Sequence, residues 1–244
     1  MIIAQNISKN FGKIEALKGI SFEIGKGEIV GFLGKNGAGK TTLMRILTSY
    51  LPPTSGKVSI AGQDIERNPL AIRRKIGYLP ENPPLYLNMT VREYLKFAAR
   101  LKDIPARETR ARIDKVLDDC RLLYVQNRPI AHLSKGYKQR IGIAQAIIHE
   151  PEVLILDEPT SGLDPVQIQQ VRKLIKDIEH KCTVLLSTHI LSEIEQIARR
   201  ILIINRGELI KDRPLEGLLK DEGAATLEEV FLKLNPPQAG RSDD

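Results

Sequence analysis

The feature that most constrains this chain is a junction. Five apolar residues, Ile29, Val30, Gly31, Phe32 and Leu33, run directly into Gly34-Lys35-Asn36-Gly37-Ala38-Gly39-Lys40-Thr41, and a helix-like stretch over 42–50 follows. The pattern G-x-x-x-x-G-K-[ST], placed between a buried strand and a helix start, is a phosphate-binding loop. Its glycines let successive backbone N–H groups wrap an anion, and the helix N-terminus adds partial positive charge. Lys40 is placed to reach the β- and γ-phosphates of a nucleotide, and the Thr41 hydroxyl to bind Mg2+. The expected nucleotide contacts are therefore Gly34, Lys35, Asn36, Gly37, Ala38, Gly39, Lys40, Thr41 and the adjoining Thr42.

A second junction lies downstream, where Val153, Leu154, Ile155 and Leu156 end in Asp157 and Glu158. An apolar run closing on two carboxylates is a buried strand delivering acids to its C-terminal end. Asp157 is expected to hold Mg2+ through water, leaving Glu158 to orient and polarise the attacking water.

The remaining texture alternates. Strand-like pieces fall at 2–7, 20–24, 58–60, 76–79, 153–156, 183–187 and 201–204, and helical spacing at 90–101, 106–123, 136–149, 166–180 and 190–199. Strand–helix alternation argues for a largely parallel sheet covered on both faces. Residues 83–150 read as a helical insertion in that core, and 235–244 as a disordered tail. Two cysteines, Cys120 and Cys182, cannot build a disulfide scaffold or a cysteine zinc site. No secretory signal is visible, and the longest apolar runs fall far short of the roughly 18–20 residues needed to span a bilayer. A soluble, cytoplasmic chain is expected, any link to a membrane being made through a partner. The net charge of +7 divides unevenly: 1–82 and 83–150 carry +6 each, and 151–244 carries −5. The phosphate loop accounts for part of the first excess, and the second implies anionic company of a kind that charge alone does not specify. No nucleic-acid motif or aromatic-interleaved basic patch is present, so no nucleic-acid partner is expected.

Between the two junctions lies Leu133-Ser134-Lys135-Gly136-Tyr137-Lys138-Gln139-Arg140. The second junction itself continues as Leu156-Asp157-Glu158-Pro159-Thr160-Ser161-Gly162-Leu163-Asp164-Pro165, and Ser187-Thr188-His189 follows. This ordered set resembles the ABC-type ATPases over roughly residues 1–234. The stretches Tyr78-Leu79-Pro80-Glu81 and Thr226-Leu227-Glu228-Glu229-Val230-Phe231, with the 133–137 segment, resemble the ATP-binding subunits of two-component bacterial exporters of the drug, lipid and gliding-motility type.

The resemblance implies an α/β P-loop fold in one domain over 1–234. Residues 1–82 and 151–234 would form the core with an N-terminal antiparallel β subdomain, and 83–150 the helical subdomain. It implies that Phe11 stacks on adenine, unless it is a core residue. Leu133, Ser134, Lys135, Gly136 and Tyr137 would form a signature that meets the γ-phosphate of ATP held by a second copy. His189 would contact the γ-phosphate, and Asp164 would cross the dimer interface. Glu81 stands where the family usually has Gln; it either ligands Mg2+ with an added negative charge or mainly contacts the partner. Lys135 and Tyr137 stand in place of the usual Gly and Gln, so Lys135 either adds charge near the trans phosphates or is solvated. The other histidines, His132, His149 and His180, match nothing and read as structural or solvated. The implied function is ATP hydrolysis driving export through a separate permease at the cytoplasmic face of the membrane. An import ATPase, a non-transport ATPase of the same superfamily and a nucleotide-gated binding protein without turnover remain as alternatives.

Overall fold

The computed structural model describes residues 1–178 and 181–234; the expected tail at 235–244 and His180 lie outside them. The chain opens as β1 (Ile2–Phe11), β2 (Ile14–Ile24) and β3 (Ile29–Leu33), then α1 (Lys40–Leu47), β4 (Ser55–Ile60) and β5 (Gln63–Asp64). It continues through α2 (Pro69–Lys75), β6 (Ile76–Leu79), α3 (Val91–Leu101), α4 (Ala106–Asp119) and α5 (Lys135–Ile147). Then follow β7 (Val153–Asp157), α6 (Pro165–Ile178), β8 (Thr183–Thr188), α7 (Leu191–Ile194), β9 (Arg200–Asn205), β10 (Glu208–Pro214), α8 (Leu215–Asp221) and α9 (Leu227–Leu234).

Two sheets result. One is antiparallel in the order β2-β1-β4-β5; the other has the order β10-β9-β3-β8-β7-β6. Within the second, β9, β3, β8, β7 and β6 run parallel, and β10 pairs antiparallel with β9 at the edge. Every residue of β3, β7 and β8 is buried, as strands covered on both faces must be. The pleat sends alternate side chains to opposite faces. Val30, Phe32 and Ile155 join a core shared with the antiparallel sheet and α1, whereas Leu33, Leu154, Leu156 and Leu186 join a core shared with α3, α4, α5 and α6.

The chain between β6 and β7 is helical. Thr90 starts α3 with a reciprocal capping box: its hydroxyl accepts from the Glu93 N–H at 3.3 Å, and Glu93 Oε2 accepts from the Thr90 N–H at 2.8 Å. Val91, Tyr94, Leu95 and Ala98, spaced along one face of α3, are buried. Other expectations shift. Helix α4 stops at Asp119 rather than 123, because Arg121 takes a positive φ of 54°. The helix expected over 190–199 shrinks to the single turn of α7, since residues 195–199 descend into β9. The sequence reading did not pick out α2, β10 or α8.

Candidate active site

The loop from β3 to α1 closes on Gly39, which N-caps α1 with φ +111°. A side chain there would also place Cβ 2.8 Å from the Ala16 carbonyl oxygen and Leu17 Cδ2, so both backbone and space require glycine. Lys40, the first residue of α1, folds back over the loop. Its Nζ donates to the Gly34 carbonyl at 2.7 Å and the Lys35 carbonyl at 3.4 Å, and lies 3.7 Å from Glu158 Oε1. Both the Lys40 and Glu158 side chains are under a tenth exposed. A cation this dehydrated needs backbone oxygens and a carboxylate around it.

Register builds the acidic half. Strand β7 pairs with β8 so that Asp157 stands opposite Ser187. The Ser187 hydroxyl donates to Asp157 Oδ1 at 2.5 Å, while Asp157 Oδ2 is buried with no hydrogen-bond partner. That oxygen is an acceptor without a donor. Thr41, Glu81 and Asp157 are among the residues that line one cavity of about 720 Å3. Oxygen donors of this kind suit a hard divalent cation. Among the described residues no group of three or more His, Cys, Asp or Glu side chains could hold a metal by itself.

Glu158 sits one residue past the strand in the left-handed region, at φ +50°. For a residue with a Cβ this costs about 1–2 kcal/mol. Hydrogen bonds hold it there: its N–H reaches the Ser187 carbonyl at 3.1 Å and the Ser187 hydroxyl at 3.2 Å. The twist aims the carboxylate at the end of β8. Glu158 Oε2 lies 2.8 Å from His189 Nδ1 and accepts from the His189 N–H at 3.3 Å. The His189 ring is half exposed, so it presents one edge to the glutamate and the rest to solvent.

The structure thus brings together Lys40, Asp157, Glu158 and His189, with Thr41 and Glu81 around the adjoining cavity. It leaves the 133–137 segment elsewhere, at the start of α5. Ser134 N-caps α5 from an exposed position with no side-chain cap bond. Gly136 packs so closely on Gln167 that an added Cβ would meet its side chain at 2.4 Å. Tyr137 stacks beneath the Arg140 guanidinium, 4.5 Å from the ring centroid. Lys135 is exposed, in keeping with its solvated alternative, and lays its Nζ over Gly162 in the loop after β7. Asp164 caps α6, its Oδ1 accepting from the Gln167 N–H at 2.9 Å. Phe11 ends β1 about half exposed, with Lys9 Nζ 5.4 Å from its ring centroid, and is not a core residue. His132 is exposed, and His149 Nε2 donates to the Ile76 carbonyl at 3.1 Å.

Sequence reading missed the role of Ser187, which is the shared support of both carboxylates. Its position before Thr188-His189 was visible; its register opposite Asp157 was not.

A glycine loop between strand and helix, a lysine folded over it and two carboxylates from a neighbouring parallel strand define a P-loop nucleoside triphosphatase. Comparison with known proteins narrows this class. The ABC transporter family profile matches residues 17–161. The bacitracin transport ATP-binding protein BcrA of Bacillus licheniformis is 40% identical over 90% of this chain and 72% of its own length. The lantibiotic transport ATP-binding protein SrtF of Streptococcus pyogenes is 37% identical over 95% of this chain and 96% of its own. Among solved structures, an ATP-binding subunit of an ABC transporter superposes with TM-score 0.87 at 31% identity, covering 96% of this chain and 99% of the other. A dimeric ATP-binding cassette in a post-hydrolysis state with ADP and Pi superposes with TM-score 0.79 at 28% identity, covering 88% and 99%. The chain belongs to the ABC transporter family, as one of its ATP-binding, ATP-hydrolysing subunits. Among the described residues no helix is long and apolar enough to cross a membrane.

Proposed function

We propose that this chain powers export through a separate membrane permease, working from the cytoplasmic face of the membrane as one of two copies that close head to tail on two ATP molecules. The observation that carries the reading is the Glu158–His189 contact of 2.8 Å, beside a Lys40 that is itself 3.7 Å from Glu158. A base, a γ-phosphate contact and a phosphate-binding cation then meet at the C-terminal ends of neighbouring parallel strands. Names of relatives that transport bacitracin and lantibiotics favour export over import.

In this reading the loop N–H groups from Gly34 to Thr42 and the Lys40 ammonium hold the phosphates, and Phe11 offers its exposed face to adenine. Thr41, Asp157 and Glu81 hold Mg2+, which neutralises phosphate charge when bound. Glu158, fixed by Ser187 and His189, accepts a proton from the attacking water. His189 steadies the developing γ-phosphate charge, and the partner copy adds its signature serine. Catalysis is then chiefly positioning and preorganised charge. The cavity bearing Glu81 continues over Leu70, Tyr78, Pro83, Tyr94 and Leu101 and supports a route from the site to the permease. Replacing Glu158 by Gln should lower turnover about 10²–10⁴-fold with ATP binding retained. A Glu158→Gln protein as fast as wild type sinks the assignment.

A further inference from the structure

Two residues outside the family motifs' assigned roles join the catalytic loops from below. Thr160 follows Glu158 by two positions, and Glu193 follows His189 by four. Both are buried, at 3% and 6% exposure, and the Thr160 hydroxyl donates to Glu193 Oε2. Burying a carboxylate costs several kcal/mol unless bonding offsets it, and apolar side chains would fill this space more cheaply. The position of the bond is what gives the carboxylate a use.

The Glu158–His189 contact and the Thr160–Glu193 bond connect the same two segments at different depths. Together they close a ring: from Glu158 across to His189, along 190–193, back through Glu193 to Thr160, and return to Glu158. The surrounding geometry stiffens both arms. On one, the Ser161 N–H donates to the Glu158 carbonyl at 3.1 Å and the Leu163 N–H to the Thr160 carbonyl at 3.2 Å. On the other, the Ile190 N–H donates to the Thr188 hydroxyl at 3.0 Å. Fully buried Ile194 fills the space over Gly31 of β3, where an added Cβ would lie 2.5 Å from Ile194 Cγ1.

His189 itself is half exposed and Glu158 holds a left-handed backbone. The Ser187 bonds and the His189 N–H tie Glu158 to the end of β8, and the Thr160–Glu193 bond ties the same two segments again beyond that point. We propose that the Thr160–Glu193 bond is a buried tie that sets the spacing of His189 and Glu158, making Glu193 and Thr160 positioning residues for hydrolysis. This rests on the assignment of Glu158 and His189 as catalytic.

The test is a mutant cycle on the purified full-length chain, reading kcat and KM for ATP, ADP affinity and thermal midpoint. Thr160→Val keeps the shape and removes the hydroxyl; Glu193→Ala removes the acceptor; Glu193→Gln keeps an oxygen that can accept. The tie requires that Thr160→Val and Glu193→Ala each lower kcat about tenfold with KM and ADP affinity unchanged. It also requires that the double variant be no slower than either single, and that Glu193→Gln stay within about twofold of wild type. Wild-type kcat in Thr160→Val, or losses that add in the double variant, overturn the tie. Glu158→Gln belongs in the same series. If it is inactive while Thr160→Val is unaltered, the tie alone fails; if it turns over normally, the catalytic assignment beneath it fails.

Discussion

The two halves of this chain's phosphate chemistry are built in opposite ways. At the strand ends Lys40, Asp157, Glu158 and Ser187 are buried and bonded to one another or to backbone. At the start of α5, Ser134 is exposed and caps nothing with its hydroxyl, while Gly136 packs against Gln167 of its own chain. The first region is a bonded assembly; the second is a helix start whose N-capping serine is exposed. On the proposed reading, the exposed Ser134 meets the γ-phosphate of ATP held by a second copy. The contrast is then between a half-site complete within one chain and a second half-site that a partner copy would match.

Each variant below separates those halves. Lys40→Met removes the buried cation and should lower hydrolysis about 10²–10³-fold or more while weakening ATP binding, as nucleotide titration will show. Ser187→Ala should damage the bonded half as structure. It strips a donor from a buried carboxylate, costing about 1–3 kcal/mol of stability by denaturant titration, and slows turnover. Ser134→Ala should do the reverse, slowing turnover roughly tenfold while stability stays within about 0.5 kcal/mol of wild type. Equal stability losses in the two serine variants would erase the contrast. Glu81→Gln should alter the Mg2+ concentration giving half-maximal ATPase by a few-fold; unchanged metal dependence and rate would remove Glu81 from the site.

The smallest expected effect lies past the far end of α5. Burial among Lys102 and Arg112 pushes the His149 ring from 6.5 down to about 4, with desolvation the leading cause. The unfolded chain then binds the proton more readily between those values, so stability is full above about pH 6.5 and falls as pH drops towards 4. Screening at this partly exposed ring limits the loss to roughly 1 kcal/mol. His149→Gln should flatten the decline in denaturation midpoint between pH 7 and pH 5.

Much of this site could be read directly. The strand, glycine loop and lysine are consecutive, so their geometry follows from local backbone rules, and the Asp157-Glu158 pair announces a strand end for the same reason. What stayed hidden depends on separation in sequence. Ser187 supports Asp157 across 30 positions through strand register, and the Thr160–Glu193 bond spans 33. Lys135 could not be placed on Gly162 without knowing how α5 meets the loop after β7. Helix α2 escaped because it is seven residues long with one buried side chain, Ile72, too little for a periodic signal.

The measurement that tests the shared site most directly is a mixing experiment with two inactive proteins. Lys40→Met disables the phosphate-loop half and Ser134→Arg the signature half. A mixed dimer would hold one site built from two intact halves, so a one-to-one mixture should regain activity approaching roughly a quarter of the wild-type rate. If the mixture stays as inactive as its components while cross-linking shows that mixed dimers form, the site is not shared between two copies.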